Sequence, residues 1–167
     1  MGFFDRLAGV IRKRSQMLSA SVSLRSGRYF VVTIHGCDGS EPCISAGPVE
    51  TLSVDTPHET LGNAILQSLK RTTHSYRYPS TKEQWVQVTA PLLSAAGCKS
   101  WNDFAKLASD LHVNQTAQQV HVLPCVRERS SFAPVLEREV RLNAPTAKAL
   151  GEAVATELAF AAKRDGT

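Results

Sequence analysis

The feature that most constrains this chain is a segment it carries twice. TLSVDTPHETLGNAILQSLKR runs from Thr51 to Arg71, and VRLNAPTAKALGEAVATEL runs from Val140 to Leu158. Each reads as a strand, a tight turn and a helix. Leu61-Gly62 aligns with Leu150-Gly151, Ala64-Ile65 with Ala153-Val154, and Leu69 with Leu158, at an offset of 151 − 62 = 89 residues. In the first copy Thr56 is a good N-cap. Pro57 suits the first helical position, and Glu59 completes a capping box with Thr56. Leu61, Ala64, Ile65 and Leu69 then share one helical face. Glycine inside a helix costs about 1 kcal/mol relative to alanine, so Gly62 and Gly151 predict a close helix–sheet approach that offsets it.

The rest of the chain supplies strands and shorter helices. Residues 1–18 form an amphipathic helix candidate with Phe3, Phe4, Leu7, Val10 and Ile11 on its apolar side. In SASVSLRS, Ala20, Val22 and Leu24 alternate with serines, which predicts a half-buried strand. Ser26-Gly27-Arg28 is a hairpin turn. Tyr29 to Ile34 is continuous, β-branched and aromatic, as expected of a strand buried on both faces. Gly36 to Pro48 has glycines, prolines and no period, and predicts a loop. Thr81 to Val88 is a helix candidate, and Pro91 to Ala96 a second one ending at Gly97. Ser100 caps a helix through Trp101, Phe104 and Leu107, whose spacing assigns them to the core. Gln119 to Val126 alternates like a strand, and Arg127 to Ser131 is a charged turn. Val135 to Leu142 reads as a strand with Leu136, Val140 and Leu142 inward. The last helix spans Thr146 to Lys163, with Leu150, Val154 and Leu158 facing the core. The fold class expected is α/β of the α+β kind. It is one domain over residues 1–167, with a largely antiparallel sheet, packed helices and two strand–turn–helix units.

Composition narrows the function. The 167 residues carry 19 basic and 15 acidic groups, a net charge of +4 spread along the chain apart from Arg12-Lys13-Arg14. Nucleic-acid binders concentrate such charge on one face. An RNA-binding module using Arg12 to Arg14, Lys70-Arg71 and Arg127 to Arg129 is the alternative reading. No apolar run reaches the roughly 18 residues needed to cross a bilayer. Cys37, Cys43, Cys98 and Cys125 form no CxxC pair, and free thiols in a reducing cytoplasm are expected. His35, Cys37 and Cys43 match no standard zinc spacing. His112 and His121 suit a ribonuclease-type acid–base pair only if the fold joins them. No cofactor, metal or catalytic residue is expected, and the chain reads as a non-enzyme. Interaction is the favoured class. Asp38, Glu41, Glu50, Asp55 and Glu59 fall in one acidic stretch and are the candidate contacts to a basic protein partner.

RSGRYFVVTIHGCDGSEP, VETLSVDTPHETLGNAILQSLKRT, AAGCKSWNDFAKLA and VRLNAPTAKALGEAVATEL together resemble one group of bacterial contact-dependent growth inhibition immunity proteins. The similarity runs from about Arg25 to about Leu158 and lies in patterns of fold. It implies a single-domain, non-catalytic cytoplasmic protein. Such a protein neutralises the C-terminal domain of its cognate surface-delivered toxin, often a nuclease and in this reading a tRNA-cleaving one. No membrane, no small-molecule substrate and no direct nucleic-acid contact are expected of this chain. The net positive charge departs from the acidic balance expected of an inhibitor of a basic nuclease.

Overall fold

The computed structural model describes residues 17–37, 42–129 and 131–165, with only the backbone described at 42, 43 and 165. Seven strands make one antiparallel sheet: β1 (Leu18–Arg25), β2 (Arg28–Gly36), β3 (Pro42–Ser53), β4 (Ser109–Gln115), β5 (Gln119–Glu128), β6 (Ser131–Pro134) and β7 (Val140–Asn143). Their spatial order is β3-β2-β1-β4-β5-β6, and β7 lies beside the first half of β5. Among the described residues four helices pack on it: α1 (His58–Lys70), α2 (Lys82–Ala96), α3 (Trp101–Leu107) and α4 (Ala147–Asp165). The class expected from sequence is therefore present, including both strand–turn–helix units, β3–α1 and β7–α4.

Period-2 alternation decides which helix pair meets which face. Ala20, Val22, Val31, Leu111, Val113, Val120 and Val122 point to one side. There they form the main core with Leu61, Ile65 and Leu69 of α1 and Leu150, Val154 and Leu158 of α4. Phe30 and Val32 point to the other side, against Leu92 of α2 and Phe104 of α3. The two repeat helices thus share one layer and the two short helices the other.

Gly62 and Gly151 do more than the sequence suggests. A methyl at Gly62 would overlap the carbonyl of Ala147, the first residue of α4. A methyl at Gly151 would overlap the carbonyl of His58, the first residue of α1. The glycines therefore serve a helix–helix crossing rather than a helix–sheet one. The contact is reciprocal because the two units are equivalent.

Several local expectations change. Pro57, with φ −54° and ψ 139°, is itself the N-cap of α1, and no side chain caps that end. The Thr56–Glu59 capping box is thus not formed. β1 is buried on both faces, because Ser19, Ser21 and Ser23 are buried along with Ala20 and Val22. Pro42 to Pro48 belongs to β3 rather than to a loop. There Ala46, Gly47 and Pro48 sit opposite Thr33 alone, between the pairs Val32–Val49 and Ile34–Ser45. Gly47 takes φ +94°, and the edge position tolerates the missing N–H of Pro48. α2 runs through Pro91 as one helix. Pro91 and Gln87, whose carbonyl loses its helical donor, both face solvent. The end of α2 is as expected, with Gly97 left-handed and its N–H returning to Leu93 and Ser94. Ser100 does cap α3, accepting from the Asp103 N–H. β4 and β6 were not legible. Val135 to Leu142 splits into a 3-10 turn (Leu136–Arg138) and β7, which leaves Leu136 69% exposed while Val135 takes the buried place. The amphipathic helix candidate lies outside the described residues up to residue 16; Leu18, its last residue, begins β1.

The reciprocal glycine contact predicts a large and symmetric penalty. Gly62→Ala and Gly151→Ala should each destabilise the fold by about 3 kcal/mol or more in urea unfolding, since backbone, not a flexible side chain, stands in the way. Wild-type stability in either variant would mean that the helices do not meet there.

Candidate functional site

Among the described residues the second sheet face is only partly roofed, and the reason is α2. This 15-residue helix buries one residue, Leu92. Its Trp85 and Val86 remain 38% and 57% exposed, and Trp101 at the start of α3 is 37% exposed. Between α2 and β3 lies a cleft of about 550 Å³, floored by Val32, Ile44 and Val49 and walled by Trp85, Val86 and Trp101. Tyr78 packs edge-on against Trp85 at 5.4 Å, and Trp101 against Phe132 at 6.3 Å, so the aromatic wall is braced. Lys82 and Lys99 stand at its rim. β3 pairs with β2 alone, so its other edge carries no strand among the described residues.

A second cavity of about 410 Å³ adjoins the first, sharing Val32, Ile44, Leu92 and Trp101. Its floor is polar. Asp110 is 5% exposed. Its Oδ1 accepts from the hydroxyls of Ser21 (2.9 Å) and Ser23 (2.6 Å). Its Oδ2 lies 3.6 Å from His112 Nε2. Burial pushes the Asp110 carboxyl above the usual carboxylate range, against the opposing pull of His112 and the two serines. The thiol of Cys125, on the neighbouring strand, completes a group whose three potential ligand atoms all lie within 4.8 Å of one another. Sequence reasoning missed this group because β4 was not recognised. Asp110-x-His112 on one strand face was the available signal.

His121 is held elsewhere. Its Nδ1 lies 2.7 Å from Glu139 Oε1, and Arg141 donates to Glu139 Oε2 at 2.6 Å. The bonds from His121 and then Arg141 hold the Glu139 carboxyl below its ordinary range. His112 and His121 therefore each face a separate carboxylate. His35 is not a free ligand either: its Nδ1 shares a hydrogen bond with Thr73 Oγ1 at 3.1 Å and its ring stacks on Tyr76 at 4.9 Å. Cys37 corrects the free-thiol expectation, because it is disulfide-bonded.

The three described acidic candidates, Glu50, Asp55 and Glu59, lie away from the cleft. Glu50 pairs with Val31, which points to the α1 side of the sheet. Asp55 is in the turn after β3, and Glu59 is in the first turn of α1. All three are exposed or half-exposed on the α1 side, and Asp38 and Glu41 fall outside the described residues. The basic groups also divide. Lys70 and Arg71 end α1 near the start of β1, where Thr72 bonds Ser19. Arg127 donates to the carbonyl of Ala105 (3.2 Å) and to that of Lys106, at the far end of β1 near Arg25. Arg12 to Arg14 lie outside the described residues.

Against known proteins the likeness is one of fold. The structure is similar to a protein of unknown function from Neisseria meningitidis, NMB0488, with a TM-score of 0.71 and 17% identity, covering 89% of this chain and 97% of that one. It is equally similar to a chain of the CdiA-CT/CdiI toxin and immunity complex from Yersinia pseudotuberculosis, with a TM-score of 0.71 and 15% identity over 86% of this chain and 97% of that one. No protein-family model matches the chain, and no curated protein matches it.

His35 yields a pH signature. Burial lowers its pKa, a hydrogen bond with the backbone of Ala46 offsetting part of the shift. The unfolded chain therefore takes up the proton more readily than the fold does. The contribution of His35 is complete above the ordinary histidine pKa of about 6.5 and is lost as pH falls below it. In urea unfolding series from about pH 8 to about pH 5, His35→Gln should lose stability less steeply with acidification than the parent. Equal slopes would contradict a neutral, buried imidazole.

Proposed function

We propose that this chain is an immunity-type inhibitor. It is a non-catalytic, cytoplasmic protein that captures the toxic C-terminal domain of a contact-dependent growth inhibition system, the toxin being a nuclease of the tRNA-cleaving kind. The observation that carries the reading is the cleft of about 550 Å³ beside the edge of β3 that carries no strand among the described residues, with Trp85, Val86 and Trp101 exposed on its walls. Exposed aromatic surface beside such a strand edge suits a protein partner that lays down an extended segment. Backbone pairing along β3 gives affinity, and side chains entering the cleft give specificity. The rim lysines, Lys82 and Lys99, favour an acidic residue next to the apolar anchor on that segment. The fold shared with a chain of a toxin–immunity complex supports the same class of function. Glu50, Asp55 and Glu59, away from the cleft, take the lesser role of steering a basic toxin during approach.

The test is co-expression with the toxin domain encoded beside this chain. A one-to-one complex and rescued growth are expected. Val86→Asp should weaken binding by about 30-fold or more, the scale of an interface hot spot, with unfolding unchanged because the side chain is 57% exposed. Failure of the parent chain to bind or to rescue growth would overturn the proposal.

A further inference from the structure

We propose that Asp110, His112 and Cys125 form a binding site for a single zinc-class divalent cation, with the adjoining cavity supplying its open coordination position. The three side chains come from facing positions of β4 and β5, two strands that pair in register around Leu111–Pro124 and His112–Leu123. Their ligand atoms lie within 4.8 Å of one another, and His112 Nε2 stands 3.6 Å from Asp110 Oδ2. That separation is too long for a hydrogen bond. It matches the edge of a tetrahedral zinc site, about 3.3–3.6 Å for metal–ligand bonds of ordinary length.

The surroundings point the same way. Both serine hydroxyls donate to Oδ1, which orients the carboxylate and leaves Oδ2 turned toward His112. This is how outer-shell partners fix a ligating carboxylate. Asp110 is almost fully buried, and His112 is its one ionic partner among the described residues. A dication resolves the charge: thiolate, carboxylate and neutral imidazole with one divalent ion sum to zero. On binding, the Cys125 thiol, which donates to the Leu123 carbonyl at 3.7 Å, releases its proton to solvent, as does Asp110 where it is protonated. The mixed sulfur, nitrogen and oxygen set selects zinc or cobalt over magnesium or calcium. Three protein ligands beside a cavity of about 410 Å³ leave the fourth position to water or to a group brought by a partner.

The experiment uses the full chain, stripped with a chelator and titrated with cobalt(II) and then zinc(II). One cobalt per chain is expected, with thiolate-to-cobalt charge-transfer absorption that zinc abolishes. Cys125→Ala should remove that absorption and Cys98→Ser should keep it. His112→Gln, at a half-exposed position, should weaken binding by about 100-fold or more with the fold intact. No charge-transfer absorption in the parent chain would overturn the proposal, and so would absorption that survives Cys125→Ala. If Cys125→Ala does not fold, unchanged cobalt affinity in His112→Gln decides against the site. A simple Asp110–His112 ion pair predicts that unchanged affinity. None of these outcomes depends on the toxin reading.

Discussion

The contact on which the rest depends is the crossing of α1 and α4 at two glycines. Each glycine lies against the carbonyl of the other helix's first residue, Ala147 for Gly62 and His58 for Gly151. Such an approach excludes any side chain at either position. It lets two helices with apolar stripes lie side by side over a single sheet face and bury Leu61, Ile65, Leu69, Leu150, Val154 and Leu158 together. Fully burying side chains of this size is worth about 2 kcal/mol each. The larger of the two apolar clusters therefore lies on that face.

The other face combines a smaller apolar cluster with polar positions and, among the described residues, is unevenly covered. Ser19, Ser21 and Ser23 take positions on β1 that a second hydrophobic layer would fill with aliphatic residues. They bond Asn114 and Asp110 instead. α2 and α3 anchor through Leu92, Phe104 and Phe30, and Arg25 ties their junction by donating to the Ala96 carbonyl and pairing with Asp103. Beyond those anchors α2 stands off the sheet. The cleft is the space between a helix fixed at one end and an edge strand bent at Gly47.

The sequence made the repeat, the core stripes of α1 and α4, the Ser26-Gly27 hairpin and the buried β2 legible. All of these are written in short-range periodicity or turn chemistry. It hid what depends on partners distant in sequence. The alternating serines of β1 look solvent-facing until Asp110, about 90 residues later, is placed against them. β4 escaped notice because Ser109 and Asp110 are buried polar residues that break the apolar pattern. Pro91 signals a helix boundary, yet its exposed position lets α2 continue. Trp101 and Leu107 have helical core spacing but lie on a helix too short to bury both flanks, so Phe104 and Ala105 are sealed while Trp101 and Leu107 stay exposed. The cleft itself had no local signature, since its walls come from β2, β3, α2 and α3.

Under the proposed function the two faces divide the labour: the repeat pair holds the main core, and α2 with β3 offers a partner the exposed Trp85 and Val86. Hydrogen exchange, read on the free chain and on its complex with the toxin domain, tests this most directly. New protection is expected in the Ile44–Leu52 backbone of β3 and in α2 around Trp85, with α1 and α4 unchanged. Protection confined to α1 and the Asp55–Glu59 turn, with β3 and α2 exchanging as before, would contradict it.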